Sequence, residues 1–324
     1  MRCPATDRLG IMQPHAIILL RAILLKLASV VLFAVMQALV RALGDSVPIG
    51  QLVFFRSVFA IVPVVLIFAW QGELADAIYT SRPFGQLWRG LISVVGMFLN
   101  FASLARLPLV DATAISFAAP LITVAFAALI LGERVRIYRW SAVTVGFVGV
   151  IVMLWPHFDF EHLMVAGSAA TAVGAACAVG AAFTNAGSVI QTRLLTSTES
   201  TSSIVFYFSL VCALFGLATL PFGWKTPDSY QLIMLVALGV LGGLAHILLT
   251  ESYRFAAASV IAPFDYTAMV WAFILGYLLF GELPTKFLFI GATIVAAAGL
   301  FVIWRERQLG LSRLRAAEGP PTGA

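Results

Sequence analysis

Apolar residues along this chain gather into long runs that alternate with short polar gaps. The runs fall at about 23–43, 49–70, 86–106, 111–131, 138–155, 167–192, 203–222, 230–253, 258–280 and 285–304. Most are close to the ~20 residues needed to cross a ~30 Å hydrocarbon core. Because they are continuously apolar and do not alternate, they predict helices, which satisfy their own backbone inside lipid, and not the strands of a barrel. Pro48, Pro83, Pro156, Pro227 and Pro284 mark the gaps where helices break. The expected fold is an all-α membrane protein of ten transmembrane helices.

Composition agrees with that pattern. Hydrophobic residues make up 61% of the 324, charged residues only 11%, and the mean hydropathy is +1.00, which excludes a water-soluble domain. A net charge of +5 could suggest nucleic-acid binding, but the basic residues sit in the short gaps and not on one amphipathic face. Cys3, Cys177 and Cys212 form neither a disulfide framework nor a CxxC metal motif. No small-residue cleavage site follows a short apolar core near the start, so the first run is expected to remain as a helix.

With the N-terminus inside, fifteen of the twenty Lys and Arg fall in cytoplasmic segments. Only Arg41, Arg106, Lys225 and Lys286 fall outside, and Arg56 lies within the second run. The positive-inside rule then puts both termini of a multi-pass inner-membrane protein in the cytoplasm.

A shift of 149 residues lays Gly132-Glu133 on Gly281-Glu282, Leu129 on Leu278, Thr144 on Thr293 and Trp155 on Trp304. Five helices precede each Trp. Five is odd, so the second half must cross the membrane in the opposite sense. This explains why arginines follow the first Gly-Glu (LILGERVRIYRW) and not the second (LLFGELPTKF). The expected organisation is a cytoplasmic segment 1–22, one repeat over 23–155, an inverted repeat over 167–304 and a basic cytoplasmic tail 305–324, ending in Pro and Gly and disordered there. Inverted repeats are a signature of secondary transporters.

Ten helices in two such halves, with RGLISVVGMFLNFASLARLPLVDATAISFAAPL (Arg89 to Leu121) and APFDYTAMVWAFILGYLLFGE (Ala262 to Glu282), resemble the drug/metabolite transporter superfamily, EamA type. The resemblance covers essentially the whole chain outside the tails. It implies alternating-access transport of a small metabolite and no cofactor. Family members export amino acids, purines or drugs, or take up riboflavin or S-adenosylmethionine, and APFDYT is most similar to the uptake branch.

Several residues carry candidate chemistry, each with a structural alternative. Arg56, about seven residues into the second helix, either snorkels or pairs structurally, or contacts an anionic substrate group. Asp265 lies about 11 Å into the ninth helix by helical rise, and either faces a cavity with Tyr266 and Thr267 or pairs with Arg254. Glu251 and Arg254, three apart, suit an ion pair. Asn100, His246, Asn185 and Gln191 suit interhelical hydrogen bonds or ligand contacts. Phe117, Tyr266 and Trp271 either pack or stack on a flat ring. Pro120 and Pro263 free the carbonyls of Ser116 and Ser259 and kink their helices, for packing or to open a cavity. Glu133 and Glu282 mark the repeats, each beside the start of the next helix, whose dipole favours a carboxylate. They lie roughly 30 Å apart on opposite faces and cannot share a substrate.

The sixth helix carries small residues at i, i+4, such as Ala170-Gly174 and Ala176-Gly180, which suit close helix packing or a homodimer face. HExxH, Walker A and GxSxG motifs are absent. The expected protein is therefore a secondary transporter with Arg56, Asn100, Phe117, His246, Asp265, Tyr266 and Trp271 around its substrate, and proton coupling is one mode open to it. The readings from another class are an intramembrane enzyme using Asp265, Glu251 and His246, or a partner-binding membrane subunit.

Overall fold

Long apolar sequences with prolines at their ends form the helices of this protein. The computed structural model describes residues 8–44, 46–72, 79–130, 137–155, 166–195, 198–199, 201–255 and 262–317. Its helices are α1 (Arg8–Leu43), α2 (Ile49–Gln71), α3 (Pro83–Leu104), α4 (Leu109–Ser116), α5 (Ala118–Ile130) and α6 (Ile137–Leu154) in the first half. The second half contributes α7 (Ala166–Leu195), α8 (Thr201–Ala218), α9 (Ser229–Phe255), α10 (Thr267–Phe280) and α11 (Lys286–Ala317). Among the described residues five apolar segments are long enough to span a membrane, and five shorter apolar helices accompany them in the order the sequence pattern predicts.

Two expected helices are broken. The fourth run, 111–131, forms α4 and α5 with Phe117 between them. Pro120, in the first turn of α5, has no amide to give the Ser116 carbonyl, so the helix tightens and the Phe117 amide bonds back to Ala114 O at 3.2 Å. In the described part of the ninth run a 3₁₀ turn, Ala262–Tyr266, precedes α10, and Asp265 sits in that turn. Pro263 lies in the same turn; Ser259 is outside the described residues. The last helix also runs past Trp304 to Ala317.

The halves pack by exchange. In the first half α1 lies on α9 of the second, and the equivalent helices α7 and α3 lie on each other. The same exchange relates α2 on α9 to α8 on α3, and α1 on α10 to α7 on α5, while α2 pairs with its own equivalent α8 and α6 with α11. The molecule therefore has a pseudo-twofold axis. An odd number of membrane segments per half, α4 and α5 counting as one, makes this the inverted-repeat architecture. Close approach is set by small residues: a Cβ added at Gly149 of α6 would lie 2.8 Å from Gly291 O of α11, and one at Gly174 of α7 would lie 2.9 Å from the Arg106 side chain. At Gly174 the small face of α7 packs against Arg106 and Leu107 within the chain.

One end of the bundle is tied by Glu282. Gly281 adopts φ +65°, a left-handed cap that ends α10 and is open to glycine at no steric cost. Glu282 Oε2 then accepts a hydrogen bond from the Leu109 amide at 2.7 Å, and Oε1 pairs with Arg41 Nε at 3.2 Å, while Arg41 Nη1 donates to Ala105 O. The carboxylate thus caps α4 of the other half, and not α11, the next helix, as expected from sequence. Beneath it Leu43, Leu104, Leu107 and Leu109 are fully buried and seal that end. Glu133 lies outside the described residues.

Candidate functional site

Pro83 starts α3 where its missing amide is harmless, and this places Arg89 about 9 Å into the helix. Arg56 enters α2 to a similar depth from the opposite end of the bundle. Both reach the middle of α8, where their guanidinium carbons each stand 5.4 Å from the Phe208 ring centroid. Cation–π contact of this kind stabilises a desolvated guanidinium partly but supplies no countercharge.

These groups line a chamber of about 380 Å³ with Asn100, Asn185, Ser93, Ser188 and His246. Arg89 Nε donates to Thr192 Oγ1 at 2.7 Å and its Nη1 to Ile204 O at 3.1 Å. Arg56 is buried at 4% exposure, and its Nη1 meets no hydrogen-bond acceptor among the described residues. His246 meets Phe33 edge-on at 5.0 Å between ring centroids, and Phe208 at 6.0 Å.

A second chamber of about 620 Å³ adjoins it, sharing Phe33, Ser116, Asn185 and Val189. Ser116 ends α4, so the break made by Pro120 lies where the chambers meet. The second chamber is lined by Lys26, Gln37, Thr113, Phe117, Pro120, Thr123 and Asp265. Lys26 Nζ pairs with Asp265 Oδ1 at 2.6 Å; the lysine side chain is 2% exposed and the aspartate 47%. Tyr266 lies against Phe117, with ring centroids 5.1 Å apart and planes at 35°.

The structure thus brings Arg56, Asn100 and His246 to one chamber, and Phe117, Pro120 and Asp265 to its neighbour, with Tyr266 behind Phe117. Trp271 lines neither. The cation on Asp265 is Lys26, whereas the sequence reading offered Arg254, whose side chain lies outside the described residues. Sequence reading also assigned Lys26 and Arg89 to topology and did not single out Phe33 or Phe208. A signal was present for the two cations: each lies inside an apolar run, as Arg56 does.

Comparison with known proteins adds to this geometry. The model of the EamA-like transporter family matches twice, at residues 20–155 and 172–305. The S-adenosylmethionine uptake transporter of Rickettsia prowazekii is 32% identical over 87% of this chain and 92% of its own length. A riboflavin transporter of Rhizobium johnstonii is 30% identical over 71% of this chain and 73% of its own, and the pseudopaline exporter of Pseudomonas aeruginosa PAO1 is 28% identical over 82% and 90%. A crystal structure of 19% sequence identity matches with a TM-score of 0.60 over 86% of this chain and 95% of that one, so it shares the fold.

Proposed function

This chain belongs to the EamA-like transporter family, and from that premise we propose that it takes up an adenosyl or similar heterocyclic metabolite, with S-adenosylmethionine the first candidate and riboflavin the second. The observation that carries the reading is the pair of adjoining chambers lined by both halves of the chain. Arg56, Asn100 and Phe117 come to it from the first repeat, and His246 and Asp265 from the second. A site lined by both repeats is one that rocking of the halves exposes alternately to either face. Phe117, backed by Tyr266, offers a ring surface for a flat heterocycle, while Asn100, Asn185 and Thr113 offer directional hydrogen bonds. Asp265, half exposed beside Lys26, is the carboxylate suited to proton coupling.

The basic bias of the Arg82 end supports an inner-membrane orientation with both termini cytoplasmic. The test is flux into proteoliposomes holding the purified chain, with radiolabelled S-adenosylmethionine and riboflavin each offered outside. Saturable, inward accumulation of either supports the reading. Outward-only flux, or none of either compound in vesicles that bind the protein intact, overturns it.

A further inference from the structure

We propose that Arg56 and Arg89 form a carboxylate subsite, which grips the amino-acid carboxylate of the transported molecule and makes the protein a carrier of amino-acid-bearing metabolites. The inference rests on the transport reading of the same cavity and narrows its substrate class.

Its first support is charge. Among the described residues the two chambers are lined by three full cations, Lys26, Arg56 and Arg89, and one carboxylate, Asp265. Asp265 is engaged by Lys26. Among the described residues no Asp or Glu lines the chamber that holds the arginines, and neither arginine has an ion pair. Two guanidinium groups within the hydrophobic depth of a membrane protein carry a heavy desolvation cost unless an anion joins them.

The second support is geometry. Arg89 is held by Thr192 and the Ile204 carbonyl, so its remaining edge is fixed in direction. Arg56 is buried, yet its Nη1 meets no acceptor among the described residues. Buried donors of this kind are costly to leave unmade. Both guanidinium carbons stand at the same distance from the Phe208 ring, so the two forks are at most twice that distance apart. One planar carboxylate accepts two hydrogen bonds from each such fork. A neutral flavin ring would leave both charges without a partner. The neighbouring chamber, with Phe117, Asp265 and Asn185, is then left for the rest of the molecule, its heterocycle and cationic groups.

The experiment compares thermal stabilisation of the detergent-purified full chain by S-adenosylmethionine and by its decarboxylated form, which keeps the adenosyl and sulfonium groups. We expect decarboxylation to weaken apparent affinity by about ten-fold or more, the size of losing charge-assisted hydrogen bonds. Acetate should compete with S-adenosylmethionine, and inorganic phosphate at equal ionic strength should not. In Arg56→Gln and Arg89→Gln the discrimination should collapse towards unity. Equal affinity for the two adenosyl compounds in the wild type, which needs no variant to fold, overturns the subsite. So does competition by phosphate alone. If neither adenosyl compound binds but free amino acids stabilise the wild type more than their decarboxylated amines, and Arg56→Gln removes that difference, the adenosyl reading fails and the subsite stands.

Discussion

Lys26 Nζ lies 2.6 Å from Asp265 Oδ1, and this contact joins the first helix of one repeat to the 3₁₀ turn that precedes α10 in the other. The lysine is buried and the aspartate half exposed, so the pair is asymmetric: the cation depends on the anion more than the reverse.

Asp265→Asn should therefore lower thermal stability by roughly 1–3 kcal/mol, less than a fully buried pair costs because Asp265 keeps contact with water. The double variant Lys26→Met, Asp265→Asn should recover part of that loss, since the buried ammonium is removed together with its carboxylate. Unfolding of both proteins in detergent measures the coupling. If the single variant is as stable as the wild type, the pair contributes nothing to the fold. If Asp265 also carries the coupling proton, Asp265→Asn should retain substrate exchange and lose accumulation.

Glu282→Gln should cost about 1–2 kcal/mol, because it removes a charge-assisted cap of α4 and the partner of Arg41 together. Arg41→Ala leaves the Leu109 cap in place and should cost less. Substrate affinity should not change in either. The ranking is read from thermal midpoints, and equal effects would show that the ion pair, not the cap, dominates.

Gly149→Ala and Gly291→Ala should each destabilise the protein by about 1–3 kcal/mol, because each methyl meets backbone of the facing helix, which cannot rotate away as a side chain can. Gly72→Ala gives a contrast: nothing surrounds it within 4 Å, and its cost comes only from its φ of +77°.

Phe117→Ala should weaken binding of an aromatic substrate by about two- to ten-fold, the scale of one ring contact. Trp271→Ala should leave affinity unchanged, since Trp271 lines neither chamber. Ligand-induced thermal shifts read both.

At the Arg82 end, Glu199 accepts hydrogen bonds from the Ser81 and Arg82 amides and the Ser81 hydroxyl. Partial burial acts to raise its pKa, but these bonds and one from Thr80 outweigh it and hold the group below the usual carboxylate value. A depressed folded pKa gives stability that is present above the unfolded value, near ~4.3, and lost as pH falls through the folded one. Thermal stability should fall across that acid window by a small amount, as suits an exposed group, and Glu199→Gln should flatten this part of the profile.

The sequence by itself determined the number and order of the apolar segments, their helical nature and the inverted repeat. All of these follow from run length, continuity and charge placement, which are one-dimensional quantities that the bilayer imposes on every spanning segment. It also marked Arg56, Asn100, His246 and Asp265, because a polar group inside an apolar run is costly and so carries information wherever it occurs. What it could not carry was partnership. Lys26 is as near a helix start as any topological lysine, and only the crossing of α1 with the 3₁₀ turn makes it the partner of Asp265. Glu282 stands next to α11 in the chain, yet the fold turns it to the amide of Leu109, 173 residues away. Arg89 meets the surroundings of Arg56 only through α8, whose Phe208 ring both guanidinium groups approach. Trp271 shows the same limit in reverse. Its residue type suited a site, but α10 packs against α1 and α4, and in that arrangement Trp271 lines neither chamber.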